Sequence, residues 1–178
     1  MKYEVVLNGD RGLLNSKPSL ALFSSRNLTR YSIRVANEIV INFHNKYTFY
    51  STGSNLNRLE IDPLKSGKFV IIHDENTWKT KITAPNILNV KFSKLIHETK
   101  KLEYLWMDLF IAERVGNILI LEATTYSKNL EILSTYCAEK GINVFCLPGK
   151  ITDRESEGSN RIIFNGAIPL YTLDLLNI

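Results

Sequence analysis

Short apolar runs alternate along this chain with segments of helical periodicity, and this alternation limits the folds that the chain can adopt. The runs have the β-branched and aromatic content of buried strands and cover residues 20–23, 47–50, 69–72, 118–121 and 144–147. Strands separated by helices form βαβ units, in which the strands are parallel and the helices cover the sheet. We therefore predict an α/β fold, a Rossmann-like open and mostly parallel sheet with helices on both faces.

Three segments carry the spacing of helices that bury one face. They cover about residues 30–44, 102–115 and 128–140. The opening residues 3–7 predict an extra strand that leads into the sheet. Residues 77–89 are polar and contain proline, which predicts a loop.

Size, charge and cysteine content narrow the class of protein. A chain of 178 residues with 44% hydrophobic content predicts a single domain over residues 1–178. The net charge of +4 is compatible with a polyanionic partner or with an ordinary mixed-charge surface. Cys137 and Cys146 fall in a predicted helix and a predicted strand, which favours buried thiols in a reducing cytoplasm. No apolar stretch approaches the ~20 residues that span a bilayer, so we expect no membrane partner.

Motifs of cofactor chemistry and catalysis are missing from the sequence. There is no Gly-rich dinucleotide motif or phosphate-binding P-loop, and His44, His73 and His97 lack metal-ligand spacing. We interpret each histidine as a surface or loop residue. No catalytic set can be assembled, so we expect no metal, no cofactor and no enzymatic activity.

A polar loop after the first central strand leads directly into a helix and contains Ser25, Arg26 and Thr29. The N–H groups and dipole of a helix N-terminus attract phosphate, and an arginine adds a charged fork. One interpretation is a phosphate cradle. The other is that Ser25 and Thr29 only cap the helix while Arg26 is solvated.

The segment 143–170 has the pattern of a buried strand that ends in a loop at the rim of a parallel sheet, where open α/β folds bind ligands. It resembles, nearly position by position, a signature of the DprA/Smf family of DNA-processing proteins. The matching residues are Leu147, Pro148, Gly149, Ser156, Gly158, Asn160, Ile162, Ile163, Gly166 and Ala167. A second family motif matches at Ser25, Arg26, Thr29 and Tyr31, and the likeness runs from about Tyr3 to Leu176.

The resemblance implies a set of residues that bind single-stranded DNA. Ser25, Arg26 and Thr29 would hold phosphate, while Lys101 would supply charge and Tyr104 would stack a base. Lys128 stands where the family pattern has glycine, either as a further phosphate contact or as a solvated lysine. The family also has arginines near residues 107–109, where this chain has Met-Asp-Leu. Their loss should weaken DNA binding and its salt dependence.

The resemblance also implies a function and partners. Family members bind and protect single-stranded DNA in DNA processing, recombination or natural transformation, and they load the recombinase RecA. They form homodimers through a region that includes Asn160, Ile163, Phe164 and Leu170 in this chain. Full-length relatives add an N-terminal helical domain and a C-terminal winged helix, for which we find no counterpart within residues 1–178.

Two alternatives remain open at this point. One is a nucleotide-binding or nucleotide-hydrolysing enzyme of the lysine-decarboxylase-like superfamily, although the Pro-Gly-Gly motif of those enzymes is missing. The other is a degenerate scaffold that has lost its ligand, because Ser24 and Ser32 replace two glycines of the family motif.

Overall fold

A sheet of eight strands forms the centre of the part of the chain that the structure describes. The computed structural model describes residues 3–65, 67–94 and 100–178, without the side chains of residues 3, 93–94 and 100–104. Along the chain the strands are β1 (Tyr3–Gly9), β2 (Ser19–Ser24), β3 (Thr48–Thr52), β4 (Lys68–His73), β5 (Ile87–Lys94), β6 (Asn117–Glu122), β7 (Asn143–Cys146) and β8 (Ile168–Pro169). Their spatial order is β1-β5-β4-β3-β2-β6-β7-β8. Only β1, which pairs with β5, runs antiparallel to its neighbour.

Helices cover both faces of this sheet, which confirms the predicted fold class. They are α1 (Arg30–Phe43), α2 (Gly53–Arg58), α3 (Glu75–Trp78), α4 (Lys100–Ala112), α5 (Lys128–Glu139) and α6 (Glu157–Phe164). Successive residues of a strand point to opposite faces and so belong to different core layers. Leu20 and Leu22 pack in the layer of α1, whereas Ala21 and Phe23 pack in the layer of α4, α5 and α6.

Helix α1 shows how the sequence pattern produces the packing. The Thr29 side chain accepts a hydrogen bond from the Ser32 N–H (3.3 Å) and caps the helix. Ile39, at the centre of the buried stripe, is completely inaccessible to solvent. Burying such a side chain contributes roughly 1.5–3 kcal/mol to folding. The predicted helix over residues 30–44 is confirmed to within one residue.

The chain reverses its direction across the sheet between β2 and β6. It lays down β2, β3, β4 and β5 in one direction, and then places β6, β7 and β8 on the other side of β2. Helix α1 leaves β2 towards one face, while α5 leaves β6 towards the other. The two loops therefore diverge and open a crevice at the carboxyl ends of the strands, the usual ligand position in open α/β sheets.

The loop predicted over residues 77–89 is confirmed for residues 79–86, but both of its ends are wrong. Helix α3 ends at Trp78, and β5 begins at Ile87. The strand was missed because Asn89 interrupts its apolar run. Asn89 is fully buried, and its Oδ1 accepts a hydrogen bond from His73 Nε2 at 2.8 Å.

That hydrogen bond also corrects the interpretation of His73 as a surface or loop residue. His73 ends β4 and is only 4% exposed, and its burial lowers its pKa. His44 is exposed, as expected, and His97 lies outside the described residues.

The two cysteines are free and buried, as predicted. Burial raises the pKa of Cys137 and of Cys146 to about 12, and both therefore remain protonated thiols at neutral pH. In the described ranges, no helix has the length and apolar content needed to cross a membrane.

Candidate functional site

A pocket of about 800 Å³ occupies the crevice where the strand order reverses. Four parts of the chain line it: residues 23–27 at the end of β2 and in the following loop, the polar side of α2 with Thr52, Asp108 on α4, and residues 124 and 126–130 after β6. We call this the switch-point pocket. Its volume lies within the range of small-molecule sites in proteins.

The fold brings Ser25, Arg26 and Lys128 together in this pocket, although about a hundred residues separate Lys128 from the other two. Ser25 is largely buried. Its N–H donates to the Glu122 carbonyl (2.7 Å), and its hydroxyl donates to the Asn27 carbonyl (2.8 Å). Ser25 therefore shapes the loop that carries Arg26.

Arg26 is the cation of this loop that is available to a ligand. Its side chain is exposed, and no group in the described ranges forms a hydrogen bond or ion pair with its guanidinium. An exposed guanidinium beside a pocket suits a phosphate, because its planar fork matches two phosphate oxygens.

Lys128 is the first residue of α5 and pairs with Glu131 at 3.3 Å. The lysine side chain is 61% exposed, so the pair is worth little and can open to admit an anion. Glu131 also accepts hydrogen bonds from Arg161. Partial burial alone would raise the pKa of Glu131, but the Arg161 and Lys128 contacts outweigh it and hold that pKa below its ordinary value.

Thr29 does not present free donors in this structure. Its N–H and its hydroxyl both donate to Glu122 Oε2, at 2.9 and 3.1 Å. A register shift between β2 and β6 places Ser24 opposite Glu122, and the buried carboxylate reaches the start of α1. A side-chain anion thus stabilises the helix dipole where we expected a phosphate. A direct contact of Thr29 with phosphate stays a prediction.

Lys101 and Tyr104 lie in the first turns of α4, but their side chains fall outside the described residues. Their positions precede Asp108, which lines the pocket, by seven and four residues. These spacings place backbone positions on one side of a helix. The roles of Lys101 and Tyr104 in DNA binding stay predictions.

Sequence reasoning missed Asn55, which ties the end of β2 to α2. Its amide donates to the Leu22 carbonyl and to Ser51 Oγ, both at 2.9 Å. Its Oδ1 accepts hydrogen bonds from Ser24 Oγ and from Arg58 Nη2, the latter at 3.3 Å. The available signal was the spacing of Thr52 and Asn55, because the Thr52 hydroxyl caps α2 through the Asn55 N–H.

The sequence also carries no indication of Asp108 as a site residue, because residues 107–109 stand out only for lacking the arginines of the family. The residue as a whole is half-buried, but its carboxyl group is closely surrounded. Burial raises the pKa of Asp108 to about 7, against the nearby charge of Arg58, which lowers it. Asp108 therefore changes charge near neutral pH, inside a pocket that also contains Arg26, Arg58 and Lys128.

The residues of the segment 148–160 support the switch-point pocket but do not line it, and ligand binding at this rim stays a prediction. The last residues of this segment are helical, because α6 begins at Glu157. Ser159 Oγ accepts from the Ala123 N–H (2.8 Å), and the Ser159 N–H donates to the Ala123 carbonyl (2.9 Å). A Cβ on Gly158 would lie 2.3 Å from the Thr124 carbonyl oxygen, so only glycine allows this approach.

The residues predicted for a dimer interface have different environments. The Asn160 side chain bonds internally to the N–H and the carbonyl of Gly149, both at 3.2 Å, and Ile163 is half-buried. Phe164 is 89% exposed. Leu170 is 3% exposed and packs in the core layer of α1, and its role in a dimer interface stays a prediction. The chain itself covers the Leu170 side chain by this packing, and the Leu170 N–H, just after β8, donates to the Cys146 carbonyl (2.9 Å).

Solved structures share this fold, among them two DNA-processing proteins. DNA processing protein A from Helicobacter pylori, whose structure gives insight into its single-stranded DNA binding mode, matches with a TM-score of 0.76 and 16% identity. The match covers 97% of this chain and 84% of that one. DNA processing protein A (DprA) from Streptococcus pneumoniae matches with a TM-score of 0.75 and 17% identity, over 96% of this chain and 64% of that one. No protein-family model and no curated protein matches the sequence. The fold is therefore DprA-like, as the sequence resemblance predicted.

The contact of Gly158 with the loop after β6 leads to a test of the pocket's support. Gly158→Ala should destabilise the protein by roughly 1–3 kcal/mol, because its methyl group collides with backbone oxygens that cannot move freely. Gly116→Ala is the matched control, since nothing lies within 4 Å of the added Cβ. Urea unfolding followed by circular dichroism should show a lower midpoint for Gly158→Ala alone. Equal midpoints for the two variants would contradict this account of the loop.

Proposed function

We propose that this protein binds single-stranded DNA at the switch-point pocket without chemical turnover. The observation that carries the proposal is the charge of the pocket lining in the described part of the chain. Arg26, Arg58 and Lys128 come from the loop after β2, from α2 and from α5, and Asp108 is the only acid among the described lining residues. Three cations around one partly neutral acid favour a polyanion.

The shape of the pocket favours single strands over duplex. The cations line a crevice, not a flat or convex face, so an unpaired nucleotide can enter where a rigid duplex cannot. Single strands also expose bases that stack on aromatic rings. The likeness to the H. pylori protein supports this reading, and we extend the site along α4 to Lys101 and Tyr104.

We further propose that the protein acts in DNA processing or recombination within the cytoplasm. The two buried thiols fit a reducing compartment. RecA stays a partner implied by the resemblance alone.

Arg26→Ala should weaken binding to oligo-dT and make it less dependent on salt. Loss of one phosphate contact lowers the slope of log K against log salt by about 0.7 for a single strand. Arg34→Ala is the matched control, because Arg34 is a 72% exposed arginine of α1 outside the pocket. Fluorescence anisotropy at several salt concentrations measures both quantities. A slope for Arg26→Ala equal to that of Arg34→Ala would remove Arg26 from the site.

Asp108 makes the proposed binding dependent on pH. Below its pKa of about 7 the carboxyl is mostly neutral, and above it the carboxylate repels phosphate. Affinity for oligo-dT should therefore fall about fivefold between pH 6 and pH 8, which corresponds to about 1 kcal/mol of repulsion. The control is Asp108→Asn, whose affinity should not follow this titration. A wild-type affinity that is constant over this range would rule out the role of Asp108.

We propose a homodimer through the β8 edge of the sheet. Among the described strands β8 is the last in the spatial order, and edge strands pair readily with a second chain. Phe164 and Ile168 expose apolar surface beside it, 89% and 39% respectively. A two-fold axis at this edge would cover both residues in each copy.

Phe164→Glu should convert the proposed dimer to a monomer, because it places a charge in an apolar contact. Ile41→Glu is the control, since Ile41 is a 64% exposed apolar residue of α1. Analytical ultracentrifugation at micromolar concentration should give a dimer mass for the wild type and the control. A monomer mass for the wild type would refute the proposed dimer.

One observation favours a second candidate function, the binding or hydrolysis of a free nucleotide. A carboxyl group with a pKa of about 7 suits general acid–base chemistry, and the pocket is large enough for a mononucleotide. A thermal-shift screen with mononucleotides, followed by chromatography for released base, separates this function from DNA binding.

A further inference from the structure

Tyr126 is an aromatic residue at the switch-point pocket that the core does not use. It lies in the loop between β6 and α5 and lines the pocket, yet 91% of its surface is exposed. A tyrosine in this state contributes little to folding, because its ring is left in water. The ring therefore offers an open π-face beside the pocket.

The loop holds the backbone of Tyr126 in place through its own hydrogen bonds. The Tyr126 N–H donates to Thr124 Oγ1 (3.3 Å), and its carbonyl accepts from the Lys128 N–H (2.9 Å). The Thr124 N–H in turn donates to Ser127 Oγ (3.0 Å). These bonds close a tight turn with Tyr126 at its tip.

Helix α6 fixes the same turn from outside. Thr125 Oγ1 donates to Glu157 Oε2 (2.7 Å), and Arg161 Nη2 donates to the Thr125 carbonyl (3.3 Å). Gly158 packs directly on the Thr124 carbonyl. The exposed ring thus stands on a backbone held from two sides, which lowers the entropy lost when a ligand stacks on it.

Two cations that line the same pocket as the Tyr126 ring come from different parts of the chain. Lys128 follows two residues later, and Arg26 lines the pocket from the loop after β2. Phosphates of a strand can meet these charges while an intervening base lies on the tyrosine face.

We propose that Tyr126 is a stacking platform for one unpaired nucleobase at the mouth of the switch-point pocket. The inference rests on the proposed function and adds to it a residue that selects unpaired bases. Every base has a π-face, so the contact tolerates any sequence but requires a base to be present. It is separate from the phosphate contact of Arg26, which requires only the backbone.

The test compares Tyr126→Ala with Tyr126→Phe by anisotropy on oligo-dT and on an abasic strand of equal length. Tyr126→Ala should bind oligo-dT roughly tenfold more weakly than the wild type, while Tyr126→Phe, which keeps the ring, should bind as the wild type does. On the abasic strand the three proteins should bind equally. The salt dependence of Tyr126→Ala should equal that of the wild type, unlike that of Arg26→Ala.

A second measurement detects stacking directly and begins with the wild-type protein. Titration into a strand that contains 2-aminopurine should quench its fluorescence, because stacking on the ring quenches this base. Tyr126→Ala, with its urea midpoint checked, should quench less than Tyr126→Phe.

The outcomes separate the two proposals. Wild-type binding of oligo-dT with no effect of Tyr126→Ala would overturn the stacking platform and leave the proposed function in place. A wild type that binds no single-stranded DNA would overturn both. Equal weakening of Tyr126→Ala on the abasic strand would also overturn the stacking role, because that strand has no bases to stack.

Discussion

The reversal of strand order between β2 and β6 is the constraint on which the candidate site depends. Two adjacent parallel strands send their following helices to opposite faces of the sheet, so the loops between them cannot close over the crevice. Glu122 secures this junction. It ends β6, and its buried carboxylate holds the first residues before α1 through Thr29. Strand β6, which borders the crevice, thus also fixes the start of α1, the helix that follows the neighbouring strand β2.

Two polar side chains extend this junction to the rest of the pocket. Asn55 connects the end of β2 with α2 and orients Arg58. Ser159 does the same for the loop after β6, by pairing with both backbone groups of Ala123. Because each buried amide or hydroxyl replaces water with protein partners, removing it would leave backbone groups unsatisfied. The pocket is therefore supported by polar contacts that belong to the fold.

The described charged side chains around the site fall into two groups, those that pair within the fold and those that remain unpaired. Arg161 is engaged with Glu131 and Thr125, whereas the exposed guanidinium of Arg26 has no hydrogen-bond or ion-pair partner among the described residues. Asp108 lies in the same pocket, and its burial brings its pKa to about 7. The paired charges hold the loops of the pocket in place, while the unpaired charge of Arg26 is available to an anionic ligand.

The sequence by itself determined the layered α/β plan, the buried stripe of α1, the burial of Cys137 and Cys146, and the position of Arg26 after a central strand. Each depends on periodicity or on a residue next to its own element, which is information local in the chain. Only the tertiary structure decided that β5 tolerates the buried Asn89, that Leu170 is covered, and that Asp108 and Tyr126 share a pocket with Arg26. These outcomes depend on partners far away in the chain: Asn89 is stabilised by His73, and the pocket joins residues from 23 to 130. A local pattern carries no record of such partners, because burial and hydrogen bonding are set by whatever the folded chain brings alongside.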